Sequence, residues 1–206
     1  MTDATKSDQP PIRLGKESFN LPNLITFSRL LLAILLFALI DNGQWMLTSA
    51  FLFVFAASTD FIDGWLARRN GQVTTLGRIM DPFVDKIIVG GTFLFLLAPG
   101  GGQSSGVNAW MVVIVIGREM FVSSLRGFLE QQGRDFSANM IGKIKMVLQC
   151  VAVTAALLSL VPELHWPWLI PARDILLWLA VAVTVWSGMV YVIRAMRMLN
   201  DDQPVD

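Results

Sequence analysis

Long apolar stretches alternate with short polar connections along this chain. The apolar runs are Leu24–Ile40, Trp45–Trp65, Ile79–Leu97, Ala109–Val122, Met140–Val161 and Ile175–Met196, each near the ~20 residues that cross ~30 Å of hydrocarbon as a helix. The pattern predicts an all-α integral membrane protein with six transmembrane helices. Ala109–Val122 is short, but it extends through Ser123, Ser124 and Leu125 if Arg118 and Glu119 face a polar interior. Trp45–Trp65 runs into a group of acids, so its far end cannot face lipid. Composition agrees: 54% of the 206 residues are hydrophobic, 16% are charged, and the mean hydropathy is +0.57. Those values exclude a water-soluble domain of this size.

Charge orients the predicted bundle. Of 16 Lys and Arg residues, only Arg173 falls in the connections Asp41–Gln44, Ala98–Asn108 and Pro162–Asp174. Basic residues are retained on the cytoplasmic side, so both termini are expected there, with a polar cavity opening to the same side of the inner (cytoplasmic) membrane. Net charge is zero and conceals this polarity. Residues 1–19 read as a polar cytoplasmic tail with a short juxtamembrane segment, 20–200 as the helical domain, and 201–206 as a frayed end. No small-x-small site closes the first apolar run and Arg29 lies inside it, so a cleaved signal peptide is not expected. Pro99–Gly106 reads as a flexible outer loop. Cys150 is alone and can form neither a disulfide nor a thiolate cluster within one chain; it is expected to be a small helix-packing residue. His165, the single histidine, is expected at the surface of an outer loop. There is no nucleic-acid signature.

Candidate chemistry concentrates between Asp60 and Asp85, where the sequence reads D-x2-D-G-x2-A-R-x8-G-x3-D-x3-D. Asp60 and Asp63 are three apart, Asp81 and Asp85 four apart, so on two helices each pair shares a face and four carboxylates can converge. Like charges so close, beside a low-dielectric region, require cations. Hard oxygen ligands of this kind suit Mg²⁺ or Mn²⁺. Asp81 precedes Pro82, which lacks an amide hydrogen and is expected in the first turn of the third helix, placing the second acid pair near a helix start.

The eight fixed positions across these 26 residues resemble the signature of the CDP-alcohol phosphotransferases, integral membrane enzymes of phospholipid synthesis. The resemblance implies transfer of a phosphatidyl or similar group from a CDP-linked donor to an alcohol, with cytidine monophosphate leaving. It further implies a pair of metal ions held by Asp60, Asp63 and Asp81, with Asp85 as a fourth ligand and the base that takes the proton of the attacking hydroxyl. Gly64 and Ala67 remove bulk beside the acids so that a diphosphate can approach the helix backbone. Arg68 can reach a phosphate oxygen in a forked contact, and Gly77 leaves room for the nucleotide. A homodimer is also implied by the family.

A second segment, Asn20-Leu-Pro-Asn-Leu-Ile-Thr-Phe-Ser-Arg29, also resembles the family, in which the start of the first helix helps to enclose the cytidine diphosphate. Asn23, Thr26 and Arg29 are the expected contacts, with capping or polar helix packing as the alternative for the first two. Gly117-Arg118-Glu119, Ser123-Ser124-Leu125-Arg126 and Ile141-Gly142-Lys143-Ile144-Lys145 are similar to the corresponding parts of the branch that uses sn-glycerol 3-phosphate as acceptor. These bases are expected to need an anion, which the acceptor phosphate would supply. Arg118 and Lys143 are the foremost candidates, with Arg126 and Lys145 behind them and membrane-surface charge as the alternative for that pair. Met146 departs from the threonine common in that branch. The expected substrates are CDP-diacylglycerol and sn-glycerol 3-phosphate. Inositol phosphate or phosphatidylglycerol are the alternative acceptors, and a cation transporter is the alternative of another class.

Overall fold

The computed structural model describes residues 21–70, 75–132, 140–164 and 166–200, with the backbone alone described at 21–23, 25, 60–70, 75–79, 81 and 200. The expected polar tail, His165 and the C-terminal end lie outside the described residues. Those described form six helices and no strand: α1 (Leu21–Asn42), α2 (Met46–Asn70), α3 (Thr75–Phe95), α4 (Ala109–Gln131), α5 (Met140–Ser159) and α6 (Leu169–Asn200). Each apolar run has become one helix, the form that satisfies every backbone amide internally.

Polar residues inside these helices are satisfied locally. The hydroxyls of Ser49, Thr59, Thr92, Thr154 and Thr184 each donate to the carbonyl four residues back, at 2.6–3.0 Å. Ser123 and Ser124 do the same to Glu119 and Met120, and α4 continues past them to Gln131, well beyond the expected end. Its start is fixed by Asn108, whose side chain accepts from the Met111 amide at 3.1 Å.

Two sequence expectations are corrected. Pro82 is not in the first turn of α3 but inside it, since the helix already begins at Thr75. It cannot donate the bond that the Arg78 carbonyl would otherwise receive. The last connection is also shorter than expected, because α6 starts at Leu169; Pro171 falls in the first turn, where a missing N–H costs little. Arg173 is therefore a helical residue, not a loop residue.

The helices close a ring in the order α1, α2, α5, α6, α4, α3, with α3 also reaching α5 and α2 across it. One end is sealed by the first, third and fifth connections. Gly43 has φ +77°, and a methyl group on it would overlap the backbone of Gly100, while one on Gly100 would overlap the Asp41 carbonyl. The Gly100 amide donates to the Ile40 carbonyl at 3.0 Å, making a backbone seam between the two connections. Arg173 ties in the rest: it donates to the Ser104 carbonyl at 2.9 Å and the Ser159 hydroxyl at 3.2 Å and pairs with Asp174. The half of the bundle below this end is apolar, built on Leu36, Ile40, Phe53, Phe93, Leu96, Leu157 and Leu177.

The outside of the ring is apolar too, with Leu31, Phe51, Val113, Val147, Ile175 and Met196 all exposed. Among the described residues α5 and most of α6 are long and apolar enough to cross a membrane. Trp45, Trp110, Trp166 and Trp168 are exposed around the sealed end, the position of an interfacial aromatic belt.

Candidate active site

At the opposite end the ring is polar. α2 carries Asp60, Asp63, Gly64, Ala67 and Arg68, and α3 carries Gly77, Asp81 and Asp85, on helices that pack together. Both acid pairs thus stand on continuous helix, at the spacings that share a face. The side chains of Asp60, Asp63, Ala67, Arg68 and Asp81 lie outside the described residues, as do the surroundings of Gly64 and Gly77. Asp85 is described, and it receives Arg29 Nη2 from α1 at 2.5 Å. Arg29 is only 2% exposed; a cation is thus brought deep into the bundle and set against the last acid of the motif. Thr26, one turn before Arg29, is buried as well, whereas the Asn23 side chain lies outside the described residues.

Beside Asp85 a polar cavity of about 200 Å³ opens between α3, α4 and α5. Asp85 and Lys86 line it from α3, Arg118, Glu119 and Arg126 from α4, Lys145 and Gln149 from α5. Arg118, Arg126 and Lys145, predicted to bind the acceptor phosphate, are brought together here with the predicted base. Glu119 joins two of them: Arg118 Nη1 donates to its Oε1 at 3.1 Å and Lys145 Nζ donates to the same oxygen. The Nε atoms of Arg118 and Arg126 are buried and find no hydrogen-bond partner among the described residues. A buried guanidinium with a spare donor is able to receive an anion.

Lys143 is not part of this arrangement. Its side chain is exposed, and the lysine buried to 6% exposure is Lys145. Two residues along a helix turn the side chain by about 200°, so only one of the two lysines can face the cavity. The expectation that these bases lack an anionic partner within the protein is likewise overturned, since Glu119 supplies one. A polar stripe marks the lysine that faces inward: Gln149 follows Lys145 by one turn along α5. Gln149 is buried and donates to the Thr184 hydroxyl of α6 at 2.9 Å.

Met146, next to Lys145, lines both the polar cavity and a larger apolar groove of about 860 Å³ between α2 and α5. Cys150 lines that groove and packs against the core, as its expected packing role requires.

Comparison with known proteins identifies the family. The sequence model of the CDP-alcohol phosphatidyltransferase family matches residues 19–186. A protein of Bacillus subtilis (strain 168) named CDP-diacylglycerol–glycerol-3-phosphate 3-phosphatidyltransferase is 39% identical over 188 residues, covering 84% of this chain and 93% of its own length. A protein of the same name from Pseudomonas fluorescens is 35% identical over 89% of this chain and 93% of its own. One of two such proteins from Arabidopsis thaliana is 29% identical over 92% and 85%. With the motif on α2 and α3, the cavity beside it and a family match across most of its length, this chain belongs to the CDP-alcohol phosphatidyltransferase family.

Proposed function

We propose that the protein transfers the phosphatidyl group of CDP-diacylglycerol to sn-glycerol 3-phosphate, giving phosphatidylglycerol phosphate and cytidine monophosphate. The observation that carries this is the joining of Asp85 and the cations Arg118, Arg126 and Lys145 in one small cavity, an acid for a hydroxyl beside bases for a phosphate. The names of the relatives point to the same pair of substrates. An acceptor without its own phosphate would leave the buried cations of α4 and α5 with Glu119 alone.

In this reaction the acceptor phosphate lies against Arg118, Arg126 and Lys145, which points its free hydroxyl at Asp85. The hydroxyl oxygen attacks the phosphorus that bears the lipid and its proton passes to Asp85. A new P–O bond forms as the bond to cytidine monophosphate breaks, and no covalent enzyme intermediate is needed. Asn23, Thr26 and Arg29 enclose the nucleotide end, with Gly64, Ala67, Arg68 and Gly77 beside the diphosphate. The α2–α5 groove offers an apolar lodging for one acyl chain of the donor.

We further propose that Mg²⁺ or Mn²⁺, as a pair, serves this reaction, supported by the one acid of the motif whose side chain is described. Asp85 is a hard oxygen ligand, its side chain is 27% exposed, and its Oδ1 accepts a hydrogen bond from the Arg29 guanidinium. Asp60, Asp63, Asp81 and Asp85 would hold the ions, which would neutralise the donor diphosphate and the leaving phosphate. We further infer that all six helices cross the inner membrane with both termini cytoplasmic and the cavity open to the cytoplasm, and that the protein is a homodimer. The Trp-lined sealed end and the basic residues gathered at the other support that orientation.

The test is to offer purified protein CDP-diacylglycerol with glycerol 3-phosphate, inositol 1-phosphate, free inositol, serine or phosphatidylglycerol separately and to score lipid product. Glycerol 3-phosphate is expected to give by far the most. Preference for an uncharged acceptor would refute the assignment, and absence of cytidine monophosphate release with every alcohol would refute the reaction.

A further inference from the structure

Arg118 belongs to α4, yet much of what holds it belongs to α6. Its Nη2 donates to the Ser187 hydroxyl at 2.5 Å, and its guanidinium carbon stands 5.4 Å from the centre of the Tyr191 ring. Gly188 lies between them on the same stretch of α6, and a methyl group there would come within 3.3 Å of Arg118 Cγ. Ser187 is wholly buried and Tyr191 is 2% exposed. The guanidinium is therefore fixed at one edge by a hydroxyl, on one face by an aromatic ring, and along its stem by a glycine that leaves it room. A third anchor, Glu119, takes Nη1 at 3.1 Å. Of its five N–H donors, Nε is buried with no partner among the described residues, while Arg118 itself lines the polar cavity.

A side chain with this many rotatable bonds loses much freedom when it closes on a ligand, and anchoring it beforehand removes most of that loss. Ser187, Gly188 and Tyr191 also lie beyond residue 186, where the family match ends.

We propose that Ser187 and Tyr191 of α6 are positioning residues that hold Arg118 ready for the phosphate of the acceptor, so that α6 helps to set acceptor affinity. The proposal rests on the reaction proposed above. Neither residue touches the reacting atoms; both act through Arg118.

Full-length protein in detergent or vesicles, assayed with CDP-diacylglycerol and glycerol 3-phosphate, provides the test. Ser187→Ala should raise KM for glycerol 3-phosphate about tenfold, the usual loss for a hydrogen bond to a charged group, with KM for CDP-diacylglycerol and kcat unmoved. Tyr191→Leu should raise the same KM about threefold to tenfold. In an Arg118→Ala background neither Ser187→Ala nor Tyr191→Leu should add anything further. Equal shifts in both substrates' KM, a change confined to kcat, or full effects persisting in the Arg118→Ala background would overturn the proposal. Should Tyr191→Leu fail to fold, Ser187→Ala with and without Arg118→Ala decides the matter alone. Wild-type turnover separates the two questions: no use of glycerol 3-phosphate removes the reaction and the proposal together, whereas normal use leaves the variants to judge α6.

Discussion

Asp85 has a guanidinium at 2.5 Å on one side and a polar cavity on the other, which suits a group that must serve both a cation and a hydroxyl. Replacing Asp60, Asp63, Asp81 or Asp85 singly with Asn is expected to remove nearly all turnover while the protein remains membrane-inserted, because such groups act as one unit. Near-normal rates in two of the four would sink the shared-site account. Thorough chelation should abolish activity and Mg²⁺ or Mn²⁺ should restore it; persistence in chelator would exclude an obligatory metal. The lysines give a sharper contrast. Lys145→Gln should raise KM for glycerol 3-phosphate ten- to hundredfold, the equivalent of about 1.5–3 kcal/mol for a buried charged hydrogen bond, whereas Lys143→Gln on the exposed face should change it little. The reverse ranking in a titration of the acceptor would place the phosphate elsewhere. At this scale the sequence was legible where residue type and spacing alone matter, as in the aspartate motif. It was not legible where the decision hangs on which side of α5 faces inward. Neither could it pair Glu119 with a lysine 26 positions on, because that contact is made by packing, not by periodicity.

Helices are the part most directly written in the chain, since a run of apolar residues long enough to cross hydrocarbon has no other stable form there. All six runs became helices, and the errors lie at their ends. α4 passes through Ser123 and Ser124, whose hydroxyls bond back along it, and runs on beyond Leu125 to Gln131, and Pro82 did not start α3 because a helix braced by neighbours tolerates an interior proline. What the sequence left open is which helices touch: the ring order puts α5 beside α2 and α6, contacts far apart in the chain. The seam at the sealed end supplies a stability prediction. Gly43→Ala combines a backbone at φ +77° with overlap on Gly100 and should destabilise by about 2–4 kcal/mol, strain and overpacking together. Gly102→Ala, at φ +70° with open space around it, should cost only about 1–2 kcal/mol. Thermal unfolding in detergent that ranks the two equally would show that the seam contributes nothing.

For the molecule as a whole, orientation is the claim with the cleanest experiment. In a Cys150→Ala background, a cysteine at Gln103 should react with an impermeant reagent from outside the cell, and one at Asn70 only from the cytoplasm. Labelling of both from one side would overturn the six-span arrangement. Charge distribution along the chain is the basis of this proposed orientation, and its one exception, Arg173, is held by Asp174, Ser104 and Ser159, partners that no sequence pattern announces. The same sealed end also dictates how the protein can move. With Gly43 and Gly100 in backbone contact and Arg173 tying the third connection to the end of α5 and the start of α6, the helices are held together more firmly at this end than at the other. Each is a lever about 30–48 Å long, so a tilt of about 5° pivoting at the seam shifts its free end by about 3–4 Å. A nearly motionless floor thus gives a small rotation enough reach to admit a lipid-linked nucleotide and let the spent nucleotide go.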